Sequence, residues 1–106
     1  MRTVEFRRLL DYDNALRVMF ESERGQIVRF VVQLECQFED DGKWIPVVRY
    51  DTAHGYAHRD RMHPYQREEK ARMSVLDYNE AFTLAMDDVV VKRHEYYRRY
   101  ETWLKN

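Results

Sequence analysis

The stretch Gln26-Ile-Val-Arg-Phe-Val-Val-Gln-Leu-Glu-Cys-Gln-Phe-Glu39 decides the fold. Val28, Phe30, Val32, Leu34, Cys36 and Phe38 alternate with Arg29, Gln33, Glu35, Gln37 and Glu39, and only Ile27 and Val31 interrupt the polar set. A period of two with one apolar side predicts a strand that lays one face on a core. Its length implies a bend, or sharing between neighbouring strands. Asp40-Asp-Gly42 then reads as a hairpin turn into a partner strand, Lys43-Trp-Ile-Pro-Val-Val-Arg-Tyr-Asp51. A two-residue loop would pair Asp40 with Lys43 and turn Ile45, Val47, Arg49 and Asp51 to the core. A three-residue loop would pair Glu39 with Lys43 and turn Trp44, Val48 and Tyr50 there instead, because a one-residue slip exchanges the faces. The second register is preferred, since it leaves Arg49 and Asp51 off the core. Pro46 has no N–H and marks an unpaired position or a bulge.

Outward from this hairpin, Thr3–Phe6 and Leu16–Phe20 read as short strands joined by a turn at Asp11–Asn14, with a second turn at Arg24-Gly25. Tyr56–Met62 reads as a further strand ended by Pro64, and Gln66–Met73 as a last edge strand or a loop. The period then changes. Asp77 is an N-cap with Glu80 three residues on. Tyr78, Phe82, Ala85, Met86, Val89, Tyr96, Tyr97, Tyr100, Trp103 and Leu104 follow at helical spacing. One helix over 78–104 would be roughly 40 Å long at ~1.5 Å per residue. That exceeds a small sheet, so its aromatic end is expected to pack on a second copy of the chain. The predicted fold is a single α+β domain over residues 1–106: an antiparallel sheet of about five strands with a long C-terminal helix on one face.

Composition excludes several classes. The net charge of −1 supplies no global field toward nucleic acid, so any such site is local. Residues 49–72 hold 6 basic and 4 acidic side chains, the most basic part of the chain. The single cysteine, Cys36, permits no internal disulfide, fits a reducing cytoplasm, and reads as a small buried apolar residue. The opening residues MRTVEFRRLL predict no signal peptide, and no apolar run predicts a membrane span. No Gly-rich phosphate loop, Gly-x-Ser-x-Gly elbow, paired CxxC or His-Glu-x-x-His is present.

Chemistry concentrates in Arg49–Pro64, RYDTAHGYAHRDRMHP, which holds three of the four histidines. On an extended backbone His58 and Asp60 point the same way, and Gly55 allows a sharp turn that brings His54 and Asp51 near them. In the leading reading His54 and His58 are an acid–base pair, Asp51 orients one of them, and Arg49 neutralises a phosphate. Tyr50, Tyr56, Arg59, Arg61 and His63 are candidate substrate-binding residues. No metal or other cofactor is required by this reading. A His/Asp metal site is a second reading, although the spacing matches no established metal motif. A polar strand making only local hydrogen bonds is the third. The segment Lys92–Tyr100 interleaves basic and aromatic residues; the spacing favours packing, with His94 on the surface.

The segment WIPVVRYDTAHGYAHRDRMHP resembles a family of small prokaryotic domains that carry Arg-Tyr-Asp-x-x-His-Gly-x-x-His and then His-Pro. More distantly it is similar to TumE-type toxins of toxin–antitoxin pairs. Arg49, Tyr50, Asp51, His54, Gly55, His58 and His63 occupy the motif positions, and Asp60 stands where relatives carry His. The resemblance implies a toxin-like cytoplasmic protein that binds or cleaves RNA. A non-enzymatic module that dimerises and pairs with an antitoxin-like partner is the alternative.

Overall fold

The computed structural model describes residues 1–106. Its strands are β1 (Arg2–Asp11), β2 (Asn14–Glu23), β3 (Gln26–Cys36), β4 (Ile45–Asp51), β5 (His58–Arg61) and β6 (Glu69–Arg72). They form one six-stranded sheet in chain order, every neighbouring pair antiparallel. Two helices follow, α1 (Tyr78–Val91) and α2 (Arg93–Lys105). The fold is therefore α+β as expected, with six strands where about five were predicted. The additional strand is β6, a four-residue edge whose side chains carry too little apolar pattern to declare it.

Alternation sorts the sheet into two faces. Leu16 and Val18 of β2, Phe30, Val32, Leu34 and Cys36 of β3, and Val48 and Tyr50 of β4 join Ala81, Ala85 and Val89 of α1 in one core. The buried positions of α1 recur every four residues and are small, so the helix approaches the sheet closely. Phe30 receives Tyr78 and Phe82 edge-on at centroid distances of 6.3 and 5.6 Å. The predicted cap forms, with Asp77 accepting a bond from Asn79 N–H. Asn79, rather than Glu80, ties the helix start to the sheet: it accepts from Ile27 N–H and donates to the Gly25 carbonyl.

The β3–β4 register is the preferred one, with a correction near its turn end. Leu34 pairs with Val48 and Gln33 with Arg49, which places Arg49 and Asp51 on the face away from the helices. The register then shifts so that Glu35 meets Pro46 and Cys36 meets Ile45, leaving Val47 as the extra residue of a bulge beside the proline. The shift reverses the facing of everything before it in β4. Ile45 therefore packs against the core, while Trp44, expected on the core, lies under the Arg7 guanidinium at 4.6 Å. The strand β3 ends at Cys36, so the connection to β4 is longer than a tight hairpin loop.

The single long helix is also corrected. Lys92 leaves helical geometry at φ −100° and ψ 15°. Arg93 Nη1 takes the Val90 carbonyl at 2.6 Å, the acceptor a continuous helix would offer to His94 N–H, while its Nε bonds Asp11. A sheet-to-helix clasp spans the break: Tyr50 and Tyr96 hydroxyls both donate to Asp88 Oδ2. Burial, then the Asp88 carboxylate, pushes the Tyr50 hydroxyl up to about 12. In the aromatic half of the helical stripe, Tyr97 and Tyr100 stack on Phe38, and the Trp103 ring lies tilted against His63. The aromatic end of the helical segment therefore makes contacts within its own chain.

On the opposite face Glu35 is buried and accepts bonds from Arg7 at 3.1 Å, Arg17 at 2.9 Å and Gln33 at 2.8 Å. The Arg7 guanidinium thereby joins the edge strand β1 to β3 across β2. Burial raises the Glu35 carboxyl, and the bonds from Arg17, Arg7 and Gln33 outweigh it, leaving the group below its ordinary range. A depressed carboxyl contributes stability above its unfolded value that is lost as pH falls through the folded one. Urea midpoints followed from about pH 6 down to pH 3 are therefore expected to fall less steeply for Glu35→Gln than for the native chain. Parallel curves would remove this role. Phe30→Ala, at a site 1% exposed, is expected to cost about 3–5 kcal/mol in the same assay.

Candidate functional site

The face away from the helices carries the polar residues that strand alternation assigns to it. Cross-strand neighbours share a face, and the register sets Asp51 opposite His58, Arg49 opposite Asp60, Asp60 opposite Lys70 and His58 opposite Arg72. Asp51, His58 and Asp60 are all buried, His58 being only 3% exposed. His58 Nε2 lies 3.1 Å from Asp51 Oδ1 and 3.6 Å from Asp60 Oδ2. Its Nδ1 is 3.4 Å from the Tyr56 carbonyl oxygen. One nitrogen atom thus faces two carboxylates, and the other faces a backbone acceptor.

The turn after β4 closes the site. Asp51 Oδ1 accepts from Ala53 N–H, and Gly55 N–H donates to the Thr52 carbonyl. Gly55 takes φ +84°, the left-handed conformation its sequence position demanded. The turn carries the exposed His54 back over the cluster, with its ring centroid 5.3 Å from that of His58. Tyr56 stands 5.7 Å from His58 by the same measure, under the Arg72 guanidinium at 4.5 Å. A cleft of about 380 Å³ opens alongside, lined by Gly55, Tyr56, Arg72, Leu76 and Tyr78 among others.

The charges around the cluster differ in what holds them. Lys70 Nζ binds Asp60 Oδ1 at 3.2 Å and Glu68 at the same distance. Arg49 donates from Nε to the neutral Gln33 amide at 2.8 Å and has no carboxylate partner, and Arg72 has none either. Two guanidinium groups with their charge unneutralised by a carboxylate therefore flank the buried cluster.

Of the residues expected at the site, Arg49, Asp51, His54, Tyr56 and His58 are brought together. Tyr50, Arg59 and Arg61 are not. Odd and even positions of a strand face opposite ways, so these three lie on the helix-covered face. There Tyr50 holds Asp88, Arg59 sits among Tyr50 and Tyr96, and Arg61 pairs with Glu69 at 3.2 Å. His63 lies past the end of β5, its ring 4.5 Å from that of Trp103. Asp60 was seen to share a direction with His58 but was not counted in the site; its period-two spacing was the available signal. Lys70 and Arg72 gave none, because their proximity depends on β6 pairing with β5. Cys36 is fully buried, and burial, then Asp13 and Glu35, pushes its thiol up to about 12, which makes it inert as a nucleophile.

No helix is long and apolar enough to cross a membrane. No curated protein and no solved structure matches the chain. One family matches throughout, over residues 1–106, and the protein belongs to it: the family described as Domain of unknown function (DUF7718).

Proposed function

We propose that the protein is a toxin-like endoribonuclease whose reactive centre is the Asp51–His54–His58 cluster. The observation that carries this reading is the paired imidazoles: a buried His58 fixed among Asp51, Asp60 and the Tyr56 carbonyl, with the exposed His54 ring 5.3 Å away. Asp51 and His58 are held by hydrogen bonds on two strands, and His54 is carried on the short turn between them that the Gly55–Thr52 bond closes. Arg49 and Arg72 offer cationic contacts for a phosphodiester on either side. The resemblance of Arg49–Pro64 to the toxin-type segments points to the same substrate class.

In such a reaction the RNA 2′-oxygen forms a bond to phosphorus and the P–O5′ bond breaks, giving a 2′,3′-cyclic phosphate. The 2′-hydroxyl proton passes to the His54 ring, and the departing 5′-oxygen takes a proton from solvent. His54 is the solvent-facing group able to touch these atoms; His58, almost without exposed surface, positions it. Arg49 takes the phosphate charge that grows as the fifth bond forms.

Purified protein is expected to cut a mixed RNA pool, to leave cyclic phosphate ends, and to spare DNA of the same sequence, which lacks the attacking hydroxyl. His54→Ala should slow cutting by about 10²–10⁴-fold, the usual range for a lost proton-transfer group, with an unchanged circular dichroism spectrum. Equal cutting by the variant, equal cutting of DNA, or no cutting at all would overturn the proposal. The last result would leave the face around His54 as a binding surface for an antitoxin-like partner.

A further inference from the structure

We infer that Asp51, His58 and Asp60 form a binding site for one divalent transition-metal ion, of the Zn²⁺ or Mn²⁺ type. The first argument is distance. Metal–ligand bonds of about 2.0–2.2 Å to nitrogen and oxygen put neighbouring ligand atoms roughly 3.0–3.4 Å apart in octahedral or tetrahedral shells. His58 Nε2 stands 3.1 and 3.6 Å from the two carboxylate oxygens, and the ligand atoms of all three side chains lie within 4.8 Å of one another. All three residues are buried, so the donors are held in place before any ion arrives.

The second argument concerns which atoms can donate. The Tyr56 carbonyl only accepts, so the contact at Nδ1 requires a hydrogen there. In the tautomer that carries its hydrogen on Nδ1, the ring turns its Nε2 lone pair to Asp51 Oδ1 and Asp60 Oδ2. In that tautomer three electron-rich atoms converge. Asp60 Oδ2 is 3.6 Å from Nε2, beyond hydrogen-bond reach, and the lysine that neutralises this carboxylate binds its other oxygen. A cation between the three relieves this arrangement. Histidines that bind metals characteristically donate the remaining ring N–H to a backbone carbonyl or carboxylate, as the Nδ1 contact allows here.

The third argument is contrast within the same sheet face. Glu35, equally buried, is bonded by two arginines and an amide. Asp51 and Asp60 have only the His58 ring between them, the half-exposed Lys70, and one backbone N–H from Ala53. Two carboxylates and one imidazole suit a borderline ion with mixed nitrogen and oxygen ligands rather than a thiolate-preferring one. Three protein ligands leave further coordination positions, on the side where His54 lies. In the RNA reading, on which only this role rests, a phosphate oxygen occupies one of them between the ion and Arg49.

The test is metal binding itself. The full chain, stripped with EDTA and dialysed, is titrated calorimetrically with Zn²⁺ and with Mn²⁺. One ion per chain is expected for at least one of them, with a rise in melting temperature. The isosteric Asp60→Asn and His58→Gln variants should each weaken binding tenfold or more, while Glu35→Gln, on the same face, should not. Absence of saturable uptake of either ion by the folded chain would overturn the site and assign a proton to Nε2 instead. So would uptake that both ligand variants retain, which would mark an adventitious ion only. Stoichiometric uptake by a chain that cuts no RNA would uphold the metal site and remove the ribonuclease reading; cutting by a chain that takes up no metal would do the reverse.

Discussion

The pairing of Leu34 with Val48 is the constraint on which the rest depends. It sets Val48 and Tyr50 among the core residues under α1, and every residue between them in the alternation on the other side. Because β5 reads its register from β4, and β6 from β5, the same choice passes outward through the sheet. A slip by one residue would turn Arg49 and Asp51 into the core and carry Val48 and Tyr50 out of it. Burial of Val32, Leu34 and Val48, none with measurable exposure, opposes that slip strongly. The bulge at Pro46–Val47 confines the irregularity to the far end of the strand, several residues from Asp51. The site is therefore a consequence of core packing, although none of its side chains belongs to the core.

Two solutions to buried charge sit side by side on the uncovered face. Around Glu35 the protein supplies the compensating groups itself, drawing Arg7 and Arg17 from strands on one side and Gln33 from its own strand. Around Asp51 and Asp60 it supplies one imidazole and one lysine. Burying carboxylates without full pairing costs free energy, and the fold tolerates it where the surroundings hold the groups in place. Incomplete compensation inside an otherwise well-satisfied sheet face is what separates a candidate reactive centre from a structural ion network.

Much of this was legible in the sequence, and the failures have physical causes. The alternation of Gln26–Glu39 identified the central strand and its apolar face from Phe30 to Cys36, but a register shift leaves Val28 exposed and turns Ile27 to the core, and Pro46 identified the second bulge. The bulge's effect on Trp44 could not be read, because one inserted residue reverses every facing before it. The helical period of residues 78–104 was read correctly as helix but not as two helices. At the break beside Lys92, Arg93 reaches Asp11, a residue 82 positions away in the chain, and no local glycine or proline announces it. In the site, Asp51, His54 and His58 were legible because one short segment contains them and Gly55 marks the turn. Tyr50, Arg59 and Arg61 were grouped with them by proximity in sequence, which strand geometry overrules. Lys70 and Arg72 were hidden because only a pairing between distant segments brings them in.

The Glu35 network also reaches the site through a single amide. Gln33 donates from Nε2 to Glu35 Oε2 and accepts from Arg49 Nε on its oxygen. The carboxylate can only accept and the guanidinium can only donate, so neither would tolerate the amide turned over. The direction of the Gln33 side chain is thus imposed by Glu35, and the tether on Arg49 is imposed by Gln33. Arg49 is thereby held through its Nε without losing its charge to a carboxylate. A direct pair with Glu35 would have fixed it equally well but neutralised it. An intervening amide fixes the side chain and leaves the charge for whatever anion approaches the face beside Asp51 and His58.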